Sequence, residues 1–336
     1  MVTINDIAKK AGVAKSTVSR YLNNGSISSE TKKIIEAVIE ETGYMPNTFA
    51  RSLKAQRTNM LGMIIPRLSS ASTNEVLEGV DAAARELGYH ILITNSDQSK
   101  ERELANIQTL AKQKVEGIIM LAREITNEHE ELIKNTNIPF LLIGQRTEGI
   151  HSIIHQDYEA GYKIGQYAVE LGHRHFLYVG VPEYDKAVGV ERKKGFLDAV
   201  SQHEGTRVDI LETEFSRSIS YEKAKQSLPK TKATYIACAT DNIAVAVLKA
   251  TNELGYSIPG DFSLSGFGGY DATSYVTPTI TTVGYPYRNL GEEAVLKMHK
   301  LITKEAVPML SELSNSLLIK QSTREFKKNR KGFLFT

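Results

Sequence analysis

Hydrophobic positions along the 336-residue chain follow two different periods. Up to about residue 57 they recur only at helical spacing. Ile34, Ile35, Val38 and Ile39 form one stripe, with Ser28 before it and Gly43 after it as start and stop signals. Thr3-Ile4-Asn5-Asp6 has the form of a capping box, which predicts a first helix running to Lys10 or Ala11. Gly12 can take the left-handed conformation that ends it. A second helix is predicted from about Lys15 to Asn23, where Asn24-Gly25 signals a turn.

From about Leu61 the pattern changes to strands alternating with helices. "LGMIIP", "YHILITN", "EGIIML", "PFLLIG", "FLYVG", "VDIL", "TYIACAT" and "FSLSGF" are short apolar runs. Amphipathic segments such as "NEVLEGVDAAARELG" and "NIAVAVLKATNELG" lie between most of them. Continuous apolar strands separated by helices predict parallel sheets covered on both faces. Eight or more such units exceed one comfortable sheet. The fold class expected is therefore a small all-α helix-turn-helix domain followed by two doubly wound α/β lobes. Ligands of such lobes bind at the carboxyl ends of the strands, in the cleft between lobes. The polar, basic "PNTFARSLKAQRTN" between the two regimes reads as a linker or hinge.

Charge sharpens that division. The chain carries 41 Lys and Arg against 39 Asp and Glu, a net +2. Its first 60 residues hold nine of the former and five of the latter, a net +4, which leaves the remaining 276 at −2. The positive charge is concentrated at one end, as expected where that end meets a polyanion. Cys238 is the only cysteine, so no intrachain disulfide can form, which suits a reducing compartment. "MVTINDIAKKAG" has no apolar leader, and no run approaches the roughly 18 apolar residues of a membrane span. A cytoplasmic protein without membrane association is expected.

The stretch "GVAKSTVSRYLNN" has little apolar surface beyond Val18 and Leu22, so it is not there mainly to build a core. Two helices joined at Gly12, with small Ala8 at their approach and Val18 turned inward, make a helix-turn-helix. The outer face of its second helix presents Lys15, Ser16, Thr17, Ser19 and Arg20. These groups can donate to phosphates and base edges in a major groove, and Arg20 can form a bidentate pair with guanine. By itself the pattern also fits the solvated face of a small helical domain.

The wider sequence decides between these. "TINDIAKKAGVAKSTVSRYLN" and then "YMPNTFARSLKAQRTNMLGMIIP" resemble the start of the lactose-repressor (LacI/GalR) family of bacterial transcription factors. "GHRHFLYVG", "ERKKGFLDAV", "ATDNIAVAVLKATNELGYSIPGDFSLSGF" and "TPTITTVGYPYRNLGEEAV" follow in the family's order, so the resemblance covers about residues 3–322. Within the family, "SGFGGYDATSYVTPTITTV" most resembles the sucrose-operon repressors. The resemblance implies a homodimeric repressor of a carbohydrate-utilisation operon. It would bind a palindromic operator in double-stranded DNA and be released by a sugar or sugar-phosphate effector, with no cofactor. It also implies a helix-turn-helix domain over 1–46, a hinge helix and linker over 47–59, a core of periplasmic-binding-protein type over 60–325 and a tail over 326–336. The first lobe would take about 60–158 and 284–308, the second about 159–283 and 309–325.

By the same resemblance Lys15, Ser16 and Arg20, with Thr17 between them, match the base-reading helix. Asn23, Ser28 and Thr31 match phosphate-contacting positions, and Thr3 is placed with the DNA contacts. The segment 47–55, with Asn47, Arg51 and Lys54, matches the hinge helix that orders on operator DNA. Leu53 matches the side chain that wedges between central base pairs, where unstacking is offset by the contacts of a bent duplex.

Effector contacts are implied at Ser72, Thr73, Asp97, Gln145, Arg192, Phe215, Thr240, Asp241, Asn242 and Tyr285 or Tyr287. Carboxylates and a guanidinium suit sugar hydroxyls, an aromatic face suits a pyranose, and Arg192 suits a sugar phosphate equally. Read from the residues alone, Arg192 also fits a surface helix charge, Phe215 a core position and Asp241 a helix cap. Where many members carry an acidic residue after the "SGF" strand, this chain has Gly268-Gly269, with Tyr270 and Asp271 as candidate replacements. Ser72-Thr73 stand where the family often has an aromatic pair, which favours a polar sugar over a planar purine.

Other classes are less well supported. The chain has no G-x-S-x-G, Walker loop, H-E-x-x-H or G-x-G-x-x-G motif of an enzyme. His173 and His175 lie in a polar turn without cysteine or acidic ligands beside them, and His151 and His155 only share a strand face; neither pair is expected to hold a metal. A transport binding protein would share the lobes but carry a leader instead of a basic domain. A global catabolite-control regulator, activated by a phosphorylated carrier protein, would keep the DNA-binding domain. The tail "REFKKNRKGFLFT" lacks the heptad pattern of a tetramerising coiled coil.

Overall fold

The computed structural model describes residues 2–22, 25–44 and 58–326. Asn23 and the expected hinge positions Asn47, Arg51, Leu53 and Lys54 lie outside the described residues, as does the tail from residue 327. The chain divides into two compact units, Met1–Thr58 and Asn59–Thr336. Among the described residues no helix is long and apolar enough to cross a membrane.

The first unit holds α1 (Ile4–Lys10), α2 (Lys15–Leu22) and α3 (Ser29–Thr42). Thr3 and Asp6 cap α1 reciprocally: the Asp6 carboxylate accepts from Thr3 N–H at 2.9 Å, and Asp6 N–H donates to Thr3 Oγ1 at 3.4 Å. Ser28 caps α3 by accepting from Thr31 N–H at 3.2 Å. Gly12 and Gly43, at φ +63° and +59°, take the chain out of α1 and α3 in a conformation that a side chain would strain. Ile7, Ala8, Ala11, Val18, Ile35 and Val38 fill the small core.

The second unit contains two six-stranded sheets. The first lobe has β1 (Met60–Ile65), β2 (His90–Asn95), β3 (Gly117–Leu121), β4 (Phe140–Ile143), β5 (His151–His155) and β11 (Leu310–Leu313). Their order is β11-β5-β4-β3-β1-β2, all parallel. The second lobe has β6 (His175–Gly180), β7 (Arg207–Glu212), β8 (Tyr235–Cys238), β9 (Ser263–Gly268), β10 (Thr281–Gly284) and β12 (Ser316–Leu318). Their order is β12-β10-β9-β8-β6-β7, parallel except for β12. Central strands such as β4 and β8 are buried along their whole length, whereas the edge strands β2 and β7 expose Ile93 and Ile210.

Among the described residues eight α-helices accompany these strands: α4 (Ala71–Glu86), α5 (Lys100–Lys112), α6 (Asn127–Thr136), α7 (Asp157–Glu170), α8 (Lys193–Ser201), α9 (Arg217–Ser227), α10 (Asp241–Glu253) and α11 (Tyr287–Ile302). The chain crosses between lobes three times, from β5 to α7, from β10 to α11 and from β11 to β12. The last crossing corrects the expected lobe boundary. Residues 310–313 pair with β5, Leu310 opposite Ser152, so the chain stays in the first lobe past residue 309 and leaves it after Leu313.

One helix pair in each lobe packs at backbone contact. In the first lobe an added Cβ at Gly79 of α4 would lie 1.9 Å from Arg288 O, and one at Gly291 of α11 would lie 2.1 Å from Val76 O. In the second, Gly161 of α7 faces Arg192 O and Gly195 of α8 faces Tyr158 O, each at 2.0 Å from the added atom. Each glycine thus meets the carbonyl three residues before the other. A Gly161→Ala substitution must push α7 from α8 and is expected to cost about 1–3 kcal/mol. Urea unfolding of the core reads this directly, and an unshifted midpoint would show that the crossing has slack.

Candidate functional site

Lys15, Ser16 and Arg20 are exposed on α2, with Thr17 and Ser19 half-buried beside them and Val18 fully buried beneath. Gly25 N–H donates to Arg20 O at 2.8 Å, and an added Cβ at Gly25 would lie 2.5 Å from Arg20 Cγ. Glycine therefore leaves room for the Arg20 stem at the end of the helix. Thr3 and Ser28 are occupied as caps, and Thr31 Oγ1 lies 2.8 Å from Ser28 Oγ. They stand at helix N-termini, where free N–H groups and the positive end of the dipole favour an anion. A polar helix face of this kind can enter a major groove.

In the second unit a cleft opens at the carboxyl ends of the strands. Its walls include the loops after β1 and β3 in the first lobe and after β6 and β8 in the second. These are the points where each strand order reverses, and loops there diverge to leave a crevice. Ser72, Thr73, Gln145, Arg192, Phe215, Thr240, Asn242, Tyr270 and Tyr287 line it.

Three expected contacts do not. Asp97 follows the edge strand β2, one strand away from the reversal; its side chain is 67% exposed and pairs with Arg102 at 3.6 Å. Asp241 is fully buried, accepting from Thr282 Oγ1 at 2.6 Å and Tyr270 N–H at 2.8 Å, and burial pushes its carboxyl up to about 6. It is not the helix cap either, since Thr240 accepts from Ile243 N–H. Tyr285 is buried behind the wall, with its hydroxyl on Asp157. At the "SGF" strand end, an added Cβ at Gly268 would meet Tyr270 Cε1 at 2.7 Å. The Tyr270 ring thus fills the space of the missing side chain, and Asp271 is exposed outside the lining.

Arg192 is not a surface charge. It is 5% exposed and ends a seven-residue π-helical segment, Lys186–Arg192, capped by Asp185. Such wide turns often accompany functional sites. Its Nε and Nη2 donate to Asp157 Oδ1 at 3.0 and 2.5 Å, and Nη1 donates to Ala239 O at 2.5 Å. The guanidinium also lies 4.9 Å from the Phe267 ring centre and 5.1 Å from that of Tyr285. Tyr285, on the second crossing, donates to the same Asp157 Oδ1 at 2.9 Å. Asn315, on the third, donates to Gln156 O at 2.9 Å. Bonds to the neighbouring residues Gln156 and Asp157 therefore tie all three crossings together.

Sequence reasoning missed Arg67, Arg123, His155, Asp157 and Asp185, all of which line the cleft. Arg67 and Arg123 stand two residues beyond the ends of β1 and β3, so applying the strand-reversal rule to "LGMIIP" and "EGIIML" points to them. The Arg67 guanidinium lies 5.1 Å from the Phe215 ring centre, so the expected stacking platform has a cation on it. His155 packs between Tyr285 and Tyr287 with both ring nitrogens buried and unpaired. His173 and His175 take different partners: His173 bonds Thr234 Oγ1 and Arg324 O, and His175 bonds Asp209. Among the described residues no group of three or more His, Cys, Asp or Glu is placed to hold a metal.

Two outcomes follow from this arrangement. Arg192→Ala leaves the Asp157 carboxylate buried without its cation, at an expected cost of about 3–5 kcal/mol in core stability. Equal stability of variant and wild type in urea would contradict a buried pair. Burial holds the His155 imidazole down at about 4, against an ordinary 6.5. Between those values the unfolded chain binds the proton and the folded chain does not, so this site's contribution to stability falls as pH falls through that window. Wild type should therefore lose stability relative to His155→Gln between about pH 6.5 and pH 4. Parallel pH profiles for the two proteins would rule out a buried neutral imidazole.

Comparison with known proteins finds matches to both parts of the chain. Residues 3–47 match the model of bacterial regulatory proteins of the lacI family, and residues 166–323 match the periplasmic binding protein-like domain. The chain is 38% identical over 310 residues to the sucrose operon repressor of Staphylococcus xylosus, covering 91% of this chain and 96% of that one. It is 29% identical to catabolite control protein A of Priestia megaterium, over 96% of this chain and 99% of the other. In fold it resembles the lac repressor dimer bound to operator and the anti-inducer ONPF, with a TM-score of 0.88, 24% identity and coverage of 96% and 99%. The chain belongs to the lacI family of bacterial regulatory proteins.

Proposed function

We propose that this protein is a homodimeric repressor of a sucrose-utilisation operon, released from its operator by a sugar or sugar-phosphate effector in the interlobe cleft. The observation that carries the reading is the joining, in one chain, of an exposed Lys15-Ser16-Arg20 helix face to a polar two-lobed cleft. Sucrose is favoured by the 38% identity to a sucrose operon repressor. Lys15, Ser16, Thr17 and Arg20 read bases; Thr3, Asn23, Ser28 and Thr31 hold phosphates. Segment 47–55 serves as the hinge, with Leu53 as the wedge. Two copies place two such helices on the halves of a palindrome. The protein acts in the cytoplasm, by binding and not by turnover.

A ligand shifts the DNA-binding equilibrium only through contacts that differ between two states of the protein. The cleft supplies them, because its floor holds the bonds that join the three crossings. Ser72, Gln145, Phe215 and Asn242 would meet the sugar, while Tyr285 and Asp241 act through the neighbours they hold.

Operator titration of the purified protein, with and without sucrose, glucose, fructose and their phosphates, tests the reading. Sugar alone should lower operator affinity without a carrier protein, and the same ligand should raise the melting temperature of the core. Arg20→Ala should weaken specific binding by about 1–3 kcal/mol and relax selectivity at one base position. Equal loss on operator and random DNA would make Arg20 a phosphate contact only.

A further inference from the structure

We infer that the cleft is built for a phosphorylated sugar, with Arg67 and Arg123 forming a phosphate subsite on its first-lobe wall. This rests on the sugar-responsive reading above and adds the chemical class of the effector. Both arginines leave the same strand-order reversal, two residues after β1 and β3, so they stand on adjacent loops of one wall. Neither forms an ion pair among the described residues, and the Nε of each is buried without an acceptor. Arg123 is oriented by Gln98, whose carbonyl oxygen accepts from Nη2 at 2.5 Å. The Arg67 guanidinium lies over the Phe215 ring.

Charge counting points the same way. Three arginines and two carboxylates line the cleft, and Arg192 is matched to Asp157. What remains is Arg67 and Arg123 against Asp185, a carboxyl that caps the π-helical segment and whose pKa burial raises. A neutral disaccharide would leave two partly desolvated guanidinium groups facing one buried carboxyl, an incomplete counter-charge that is costly. A phosphomonoester carries about −1.5 to −2 charge and three acceptor oxygens, and suits the planar donor fork of arginine. Arg192, whose charge is paired with Asp157 and three of whose five N–H donors serve Asp157 and Ala239 O, is the wrong arginine for this task. A phosphate held here would also bear on both lobes, because Arg67 rests on Phe215 and Arg123 on Tyr184 across the cleft.

The test is calorimetry and operator titration of the full chain with three pairs: sucrose and sucrose 6-phosphate, glucose and glucose 6-phosphate, fructose and fructose 6-phosphate. In at least one pair the phosphorylated member should bind about tenfold tighter or better, as expected for added charge-assisted bonds. Arg67→Gln and Arg123→Gln should each shrink that preference, and the double variant should bring it close to one. Arg67→Lys should keep part of it, since charge survives without the fork. Operator binding without ligand checks that each variant is folded. Equal affinities within every pair, or a preference that survives the double variant, would overturn the phosphate subsite and leave sugar sensing intact. If no member of any pair binds, the sugar-responsive reading falls, and this inference with it.

Discussion

The guanidinium of Arg192 lies between Asp157, the carbonyl of Ala239 and the rings of Phe267 and Tyr285, with almost no exposure to solvent. Its position is set from behind by backbone: Gly161 of α7 admits the Arg192 carbonyl, and Gly195 of α8 admits that of Tyr158. Asp157 begins α7 four residues before Gly161, so the tight crossing and the ion pair support each other. Burying two opposite charges is a weak source of stability, but leaving one of them alone is expensive. The pair therefore behaves as a unit. Because Asp157 also receives Tyr285, it locks two of the crossings that any movement between lobes must bend.

The two lobes repeat one plan with different chemistry. Each sheet reverses its strand order once, each has a glycine crossing of one helix pair, and each sends the loops at its reversal into the cleft. The first lobe contributes Arg67 and Arg123 from these loops. The second contributes Asp185, Thr240 and the aromatic rings of Tyr184 and Phe215 on which those arginines rest. The site is thus polarised across the cleft, and a ligand that engages both walls is sensitive to their separation. That is the physical requirement for a regulator whose effector must report through geometry.

The DNA-reading unit follows a different economy. Among the described residues its core is six buried side chains, and much of its order is local: a capping box, a second cap and two glycines at positive φ. Each cap contributes on the order of 1 kcal/mol, a large share for so small a core. The polar face of α2 can stay exposed because Val18 and Ala8 supply the packing from the other side.

Local signals were legible in the sequence, since caps, helical stripes and glycine stops act within a few residues. The boundaries of α1 and α3, the left-handed Gly12 and the free face of α2 all follow from neighbours in the chain. Unbroken apolar runs marked eight strands, of which the edge strands β2 and β7 are not covered on both faces. β10, β11 and β12 escaped because "TTVG", "LSEL" and "SLL" carry no apolar pattern of their own; only pairing with distant strands makes them strands. The site was harder for the same reason. Arg192 meets Asp157 across 35 residues, and Tyr285 meets it across 128, so its burial has no local sign. Asp97 fell outside the cleft, and Arg67 and Arg123 within it, through strand order alone. Sequence determined the helices and the strands that carry their own apolar run, and which helix could read DNA. The tertiary structure decided which charges are spent on holding the lobes together and which are left for a ligand, because a charge's role depends on partners that only the folded chain brings near.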